Sequence, residues 1–227
     1  MKTVLCLGAS IMQIEAIKKA KEMGYYTIAV DYDRNAAGRD LADEFYEVST
    51  IDVAAVLNVA KKCHIDGVVT VATDMPVRTA AVLSEELGIP GISKEVAIRA
   101  TDKIEMIKAF QKHQVPSPKF WIVENDASFQ RQKKELEYPV IFKPQESSGS
   151  RGVILVKREE DTRQAYEYTK SFSKTGEILI EEYLDGPEVS VEVICENKEV
   201  HVLAITDKLT TGAPLSHTAV VRQWTAL

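Results

Sequence analysis

The sequence predicts an α/β protein: a parallel sheet wrapped in helices, followed by a part that mixes helices with antiparallel strands. Two observations carry this. Up to about residue 90, apolar runs of strand length alternate with amphipathic helical segments. Beyond residue 119, short strands are separated by polar loops and end in a strictly alternating pair. Composition sets the bounds. The 227 residues are 45% hydrophobic and 27% charged, ordinary for a folded chain and enough for one large domain or two small ones. A net charge of −6 with dispersed lysines offers no basic footprint for nucleic acid. No apolar run approaches the ~18 residues of a membrane span. The start, MKTVLCLGAS, runs straight into a strand without the pattern of a signal peptide, so a cytoplasmic protein is expected. Cys6, Cys63 and Cys195 lack metal-site spacing and are each expected to be buried free thiols.

The elements follow in order. TVLCLG (3–8) is an apolar run closed by glycine. In IMQIEAIKKAKEMG, Ile11, Ile14, Ile17 and Ala20 recur about once per helical turn, and Gly24 is placed as a C-cap. YTIAVD (26–31) is the second strand, DVAAVLNVAKKCHI the second helix, DGVVTVA (66–72) the third strand and PVRTAAVLSEELG the third helix. Such alternation with short connections implies a parallel sheet with right-handed crossovers. Gly8 after the first strand and Asp31 at the end of the second invite a nicotinamide-dinucleotide reading. GASIMQ, however, matches only the first position of G-x-G-x-x-G and lacks the glycines that let a pyrophosphate approach, which favours a sheet domain without that cofactor. Gly8, Ser10 and Thr73-Asp74 remain at the carboxyl ends of strands, where such sheets face ligands.

ISKEVAIRA (92–100) reads as a short helix capped by Ser93, and Asp102-Lys103-Ile104-Glu105 has capping-box spacing for the next. Lys103 falls in its first turn, where the helix dipole disfavours a cation unless an anion lies nearby. PSP (116–118) ends that helix, KFWIVE is a strand and ASFQRQKKELE a polar helix. The strand YPVIF then runs into Lys143 and a loop containing Ser147, Ser148, Gly149, Ser150, Arg151 and Gly152, before the apolar run VILV. Hydroxyls, backbone N–H groups, a guanidinium and an ammonium are all donors, and donors converging without acceptors suit phosphate oxygens. The plain alternative is a hairpin loop beside a snorkelling lysine. After the helix EEDTRQAYEYTKSF comes EILIEEYLDG, where a strand turning into a linker offers backbone groups to a purine edge while Glu181 accepts from its amine. EVSVEVI puts Glu188, Ser190 and Glu192 on one face and Val189, Val191 and Val193 on the other; ENKEV turns back into VHVLAIT. The two carboxylates either hold ribose hydroxyls or meet water.

Taken in order, TDK, FKPQESSGSRG and EEYLDGPEVSVEV resemble the ATP-grasp superfamily of carboxylate–amine ligases. The resemblance runs over roughly residues 1 to 214. It implies a Rossmann-like domain at 1–92, an incomplete ATP-grasp α+β domain at 93–214 and a divergent tail at 215–227. It further implies that Lys103, Lys143 and the 147–152 loop contact ATP phosphates, with Lys143 near the adenine. Glu181 would take the adenine amine, Glu182 and Leu184 would give backbone hydrogen bonds, and Glu188 would hold the ribose. Relatives phosphorylate a carboxylate for attack by an amine, so ATP, magnesium and a carboxylate substrate are the implied ligands.

From Lys208 to Leu227 there is no Asp or Glu. Magnesium held between phosphates and protein wants one or two carboxylates, so no metal ligands are assigned. A chain truncated after about Pro214, with an exposed sheet edge prone to self-association, is expected. Three functions compete: an ATP-dependent ligase, a nucleotide-binding module without turnover, and a nicotinamide-dependent enzyme.

Overall fold

The computed structural model describes residues 1–147, 149–197, 199–209 and 220–222. Packing divides the chain into two units, Met1–Ala109 and Phe110–Leu227.

In the first unit the elements run β1 (Thr3–Leu7), α1 (Ile14–Glu22), β2 (Tyr26–Asp31), β3 (Glu44–Glu47), α2 (Val53–Lys62), β4 (Gly67–Val69), α3 (Pro76–Leu87) and α4 (Lys94–Thr101). The helix α5 (Lys103–Lys112) begins in this unit. The sheet is parallel, in the order β3-β2-β1-β4. Both faces are covered, which is why β1 and β2 read as continuous apolar runs. Leu5, Leu7, Ile28 and Val30 pack with Val56, Val59 and Ala60 of α2 and Leu83 of α3. Cys6 and Ala29, on the other face, pack with Ala9 and with Ile17 of α1. Local signals end each helix where the sequence implies: Asp52 and Ser93 cap α2 and α4, Pro76 opens α3, and Gly88 closes it in the left-handed conformation (φ +65°). The strand β3 is an addition. EFYE lacks an apolar run because it is a short edge strand, with Glu44 and Glu47 exposed.

The second unit contains β5 (Phe120–Val123), α6 (Asp126–Gln132), β6 (Val140–Pro144), β7 (Ile154–Val156), α7 (Thr162–Ser171), β8 (Ile178–Glu182), β9 (Glu188–Glu196), β10 (Glu199–Leu209) and β11 (Val220–Arg222). Two antiparallel sheets result, β5-β8-β6-β7 and β11-β10-β9. The polar segment expected as one helix over 127–137 is α6 followed by a 3-10 turn, Lys133–Glu135. Phe129 of α6 stacks on Tyr166 of α7, centroids 4.1 Å apart. Together with Ala165 they cover one face of the first sheet: Val123, Val140, Phe142, Val156, Ile178 and Ile180.

The β9–β10 hairpin is different. Its alternation is as expected, and the register keeps Val189, Val191, Val193, Val200, Val202 and Ile205 on one face because Leu203 is bulged between Val202 and Ala204. Among the described residues nothing covers that face: these six side chains are 44–62% exposed. The tail at 215–227 is described only as β11, which pairs with β10. No helix among the described residues is long and apolar enough to cross a membrane.

Candidate functional site

Lys143 and Glu181 meet on the face of the β5-β8-β6-β7 sheet turned away from α6 and α7. Strand alternation sends Val140 and Phe142 into the helices, so Ile141 and Lys143 point the other way. Ile141 lies opposite Glu181 on one side and Leu155 on the other, and Lys143 lies opposite Leu179. Lys143 and Glu181 are therefore diagonal neighbours, and the Lys143 ammonium donates a hydrogen bond to the Glu181 carboxylate. Both are largely sheltered, their side chains 28% and 13% exposed. This pair was not foreseen: the two residues are far apart in sequence, and only the β6–β8 register joins them. Ile141 and Leu155, half-buried beside them, make the face apolar as well as charged. Past Leu155 it leads into a groove of about 420 Å³ lined also by Pro139, Lys157, Tyr183 and Asp185.

The loop from β6 to β7 has a fixed base and an exposed tip. Gly149 and Ser150 are both left-handed (φ +64° and +56°) and, like Arg151, exposed. Gly152 lies at the packed base of the loop. A Cβ there would come within 2.7 Å of both Phe172 and Pro144, and its carbonyl accepts a buried hydrogen bond from the Thr169 hydroxyl at 2.9 Å. Its φ of +75° adds a second reason for glycine. Ser147 sits half-buried on the β6 side, and Ser148 lies outside the described residues.

Glu182 is tied to the start of β5. Its N–H donates to the Lys119 carbonyl at 2.8 Å, and its carboxylate accepts from the Lys119 N–H at 3.1 Å. A purine contact there would fall to its carbonyl. Leu184, two residues on, is 63% exposed. Glu188 opens β9 and accepts a hydrogen bond at 2.6 Å from Lys208, its direct cross-strand partner. Ser190, Glu192, Thr206 and Ala204 share that face.

In the first unit, Lys103 is the first residue of α5. Asp102 caps the helix, its Oδ1 accepting the N–H groups of Ile104 and Glu105 at 2.9 and 3.0 Å. The reciprocal arm of the expected capping box is not made: the Asp102 N–H donates to Ile98, and the Glu105 carboxylate takes Lys108. Each oxygen of the Asp31 carboxylate accepts one backbone N–H, from Ala9 at 2.8 Å and from Asp33 at 3.0 Å, and the residue is 7% exposed. It links the ends of β1 and β2, a structural use that counts against the nicotinamide reading. Gln13 fills the space beneath Gly8, bonded to Ser10 and to the Val71 carbonyl.

The thiols also differ from expectation. Cys6 is buried, and burial pushes its pKa up to about 11, but Cys63 is only half-buried and Cys195 is exposed on the outward face of β9.

Residues 100–216, just over half of the chain, match the model of the ATP-grasp domain, and the chain belongs to that family. Among curated proteins it is 29% identical over 188 residues to a formate-dependent phosphoribosylglycinamide formyltransferase of Prochlorococcus marinus, covering 81% of this chain and 48% of that protein. Among solved structures, phosphoribosylglycinamide synthetase from Anaerococcus prevotii superposes with a TM-score of 0.72 at 27% identity, over 97% of this chain and 54% of that one. The biotin carboxylase domain of the Hydrogenobacter thermophilus 2-oxoglutarate carboxylase, a dimer in complex with MgADP, ADP and bicarbonate, shares the fold. Its TM-score is 0.76 at 22% identity, over 91% of this chain and 50% of that one. The chain spans about half the length of the curated relatives it matches.

Proposed function

We propose that this chain binds ATP as the nucleotide-binding part of a carboxylate–amine ligase. The observation that carries it is the Lys143–Glu181 pair, set beside Ile141 and Leu155 on the sheet face turned away from the helices, at the root of a Ser/Gly/Arg hairpin loop. An apolar face with one cation and one carboxylate suits a flat, polar-edged base followed by phosphates. In this reading Glu181 accepts from the adenine amine, Glu182 and Leu184 supply backbone groups, and Glu188 takes the ribose. Lys103, Lys143 and the loop donors of Ser147, Ser148, Gly149, Ser150 and Arg151 meet the phosphates; Gly152 anchors the loop. The domain limits belong to the same proposal, with 1–92 as the leading domain and 93–214 as the ATP-grasp portion.

Among the described residues no three His, Cys, Asp or Glu side chains converge as a metal set; magnesium held between phosphates would need one or two carboxylates, and none lies from Lys208 to Leu227. A second reading is nucleotide binding without turnover, because phosphoryl transfer depends on metal ions neutralising the charge on the transferred group. The acceptor class is a small carboxylate activated as its acyl phosphate; the names of the relatives make formate with phosphoribosylglycinamide, and bicarbonate, the first to try.

Calorimetric titration with ATP and with NADH tests nucleotide choice. Binding of ATP but not NADH is expected, and the reverse refutes the proposal. Phosphate release from ATP and magnesium with those acceptors and an amino-acid panel decides between the two readings. Turnover on the order of 1 per second, an ordinary enzyme rate, would rule out the module without turnover.

A further inference from the structure

We infer that Arg78 is a positioning residue for Lys103, acting through the one-residue junction between α4 and α5; this rests on Lys103 meeting phosphate. The helix α4 ends at Thr101 and α5 begins at Lys103, so Asp102 alone sets the direction in which α5 leaves. Its backbone is extended there (φ −115°, ψ 116°). Asp102 is 5% exposed as a residue, and its carboxylate uses its two oxygens differently. Oδ1 caps α5, and Oδ2 lies 3.8 Å from the Arg78 guanidinium.

Arg78, projecting from α3, holds both sides of the junction. Its Nε donates at 2.6 Å to the Thr101 hydroxyl, which itself donates at 2.8 Å to Ala97 in α4. The guanidinium therefore hydrogen-bonds the last turn of α4 and sets its charge 3.8 Å from the carboxylate that starts α5, beyond hydrogen-bond reach. A cap alone does not require this. Asn or Ser would accept the same N–H groups without a buried charge, and a buried carboxylate is costly unless a cation meets it. An arginine that fixes the pitch of α5 fixes the origin of the Lys103 side chain, the residue next in sequence. A misplacement of about 1 Å in a group that orients a reacting ligand can cost on the order of 100-fold in rate, so rigidity here has a ligand-side consequence.

The test is a double-mutant cycle on the full chain, read by calorimetry with ATP and with adenosine, which lacks phosphates. Arg78→Leu should weaken ATP by about 5- to 30-fold, inside the roughly 2- to 150-fold range of coupling between residues in one network, and leave adenosine unchanged. In a Lys103→Ala background it should have no further effect on ATP, and Arg78→Lys should restore part of the loss. Asp102→Asn, which keeps the cap but removes the charge, should show the same selectivity and serves if Arg78→Leu does not fold. Equal losses for ATP and adenosine, or losses additive with Lys103→Ala, would show a purely structural pair and overturn the inference. If Lys103→Ala weakens ATP while Arg78→Leu does not, the inference alone falls. Unchanged ATP affinity in Lys103→Ala removes the phosphate role beneath it.

Discussion

Replacing Lys143 with alanine separates a phosphate ligand from a structural counter-ion. In the free protein its ammonium is held by Glu181 in a half-sheltered setting, so it already has one anionic partner. A phosphate must share that ammonium or take it over. Hydrogen bonds to charged groups contribute about 1.5–3 kcal/mol, or roughly 10- to 150-fold in Kd. The upper half of that range is expected for ATP. Lys143→Ala removes the donor and also leaves the sheltered Glu181 carboxylate uncompensated, close to where phosphates would lie. The double variant Lys143→Ala/Glu181→Gln should recover part of the loss. Lys134→Ala, an exposed lysine in the 3-10 turn after α6, should change nothing. The assay is calorimetric titration with ATP, beside thermal melts that confirm folding. If Lys143 merely neutralises Glu181, its removal lowers the melting temperature and leaves ATP affinity as in wild type; that result would refute the phosphate role.

Other expectations follow from the same geometry. Trypsin should cut after Arg151 at the exposed loop tip, and more slowly with ATP; cleavage indifferent to nucleotide would count against loop–phosphate contact. Asp43 is held down to about 2 from its ordinary 3.8, first by its hydrogen bond from Lys21 and then by that from the Thr27 N–H. A depressed carboxyl stabilises the fold above its unfolded value and loses that contribution as pH falls from about 4 towards 2. Urea melts of Asp43→Asn should therefore be less pH-sensitive than wild type across that window, and equal slopes would contradict the assignment. Iodoacetamide at neutral pH should modify Cys195 first and Cys6 last, since Cys6 is buried and hard to ionise. The valine face of β9–β10, which nothing covers among the described residues, should drive association in size-exclusion chromatography. A monomer that persists at all concentrations would show that this face is covered.

Much of the fold was legible because its signals are local. Ser93 and Asp102 cap helices where their spacing indicates, Gly88 closes α3, and the valines of EVSVEVI lie on one face. What escaped the sequence depends on partners distant along the chain. EFYE is a strand only because β2 lies beside it, and its exposed glutamates hide the apolar signal. The outward Cys195 follows from an uncovered hairpin face, which the alternation identifies as apolar but cannot show to be exposed.

The candidate site shows the same division between kinds of information. Lys143, Glu181 and Glu188 were chosen as separate donors and acceptors, and each proves to have a register-defined neighbour. Glu181 meets Lys143 across β6–β8, and Glu188 meets Lys208 across β9–β10. Three of the nucleotide candidates thus sit in two ion pairs before any ligand arrives. A sheet that pre-pairs its charges avoids burying them alone, and a ligand carrying both an amine edge and anionic oxygens can replace each half with its own complement. Gly152 carries the converse lesson. It belongs by sequence to the same Ser/Gly/Arg loop as its neighbours, yet Phe172, Pro144 and Thr169 pack it in place. The exposed part of the loop is its tip, at Gly149, Ser150 and Arg151, and any ordering by phosphate is expected there.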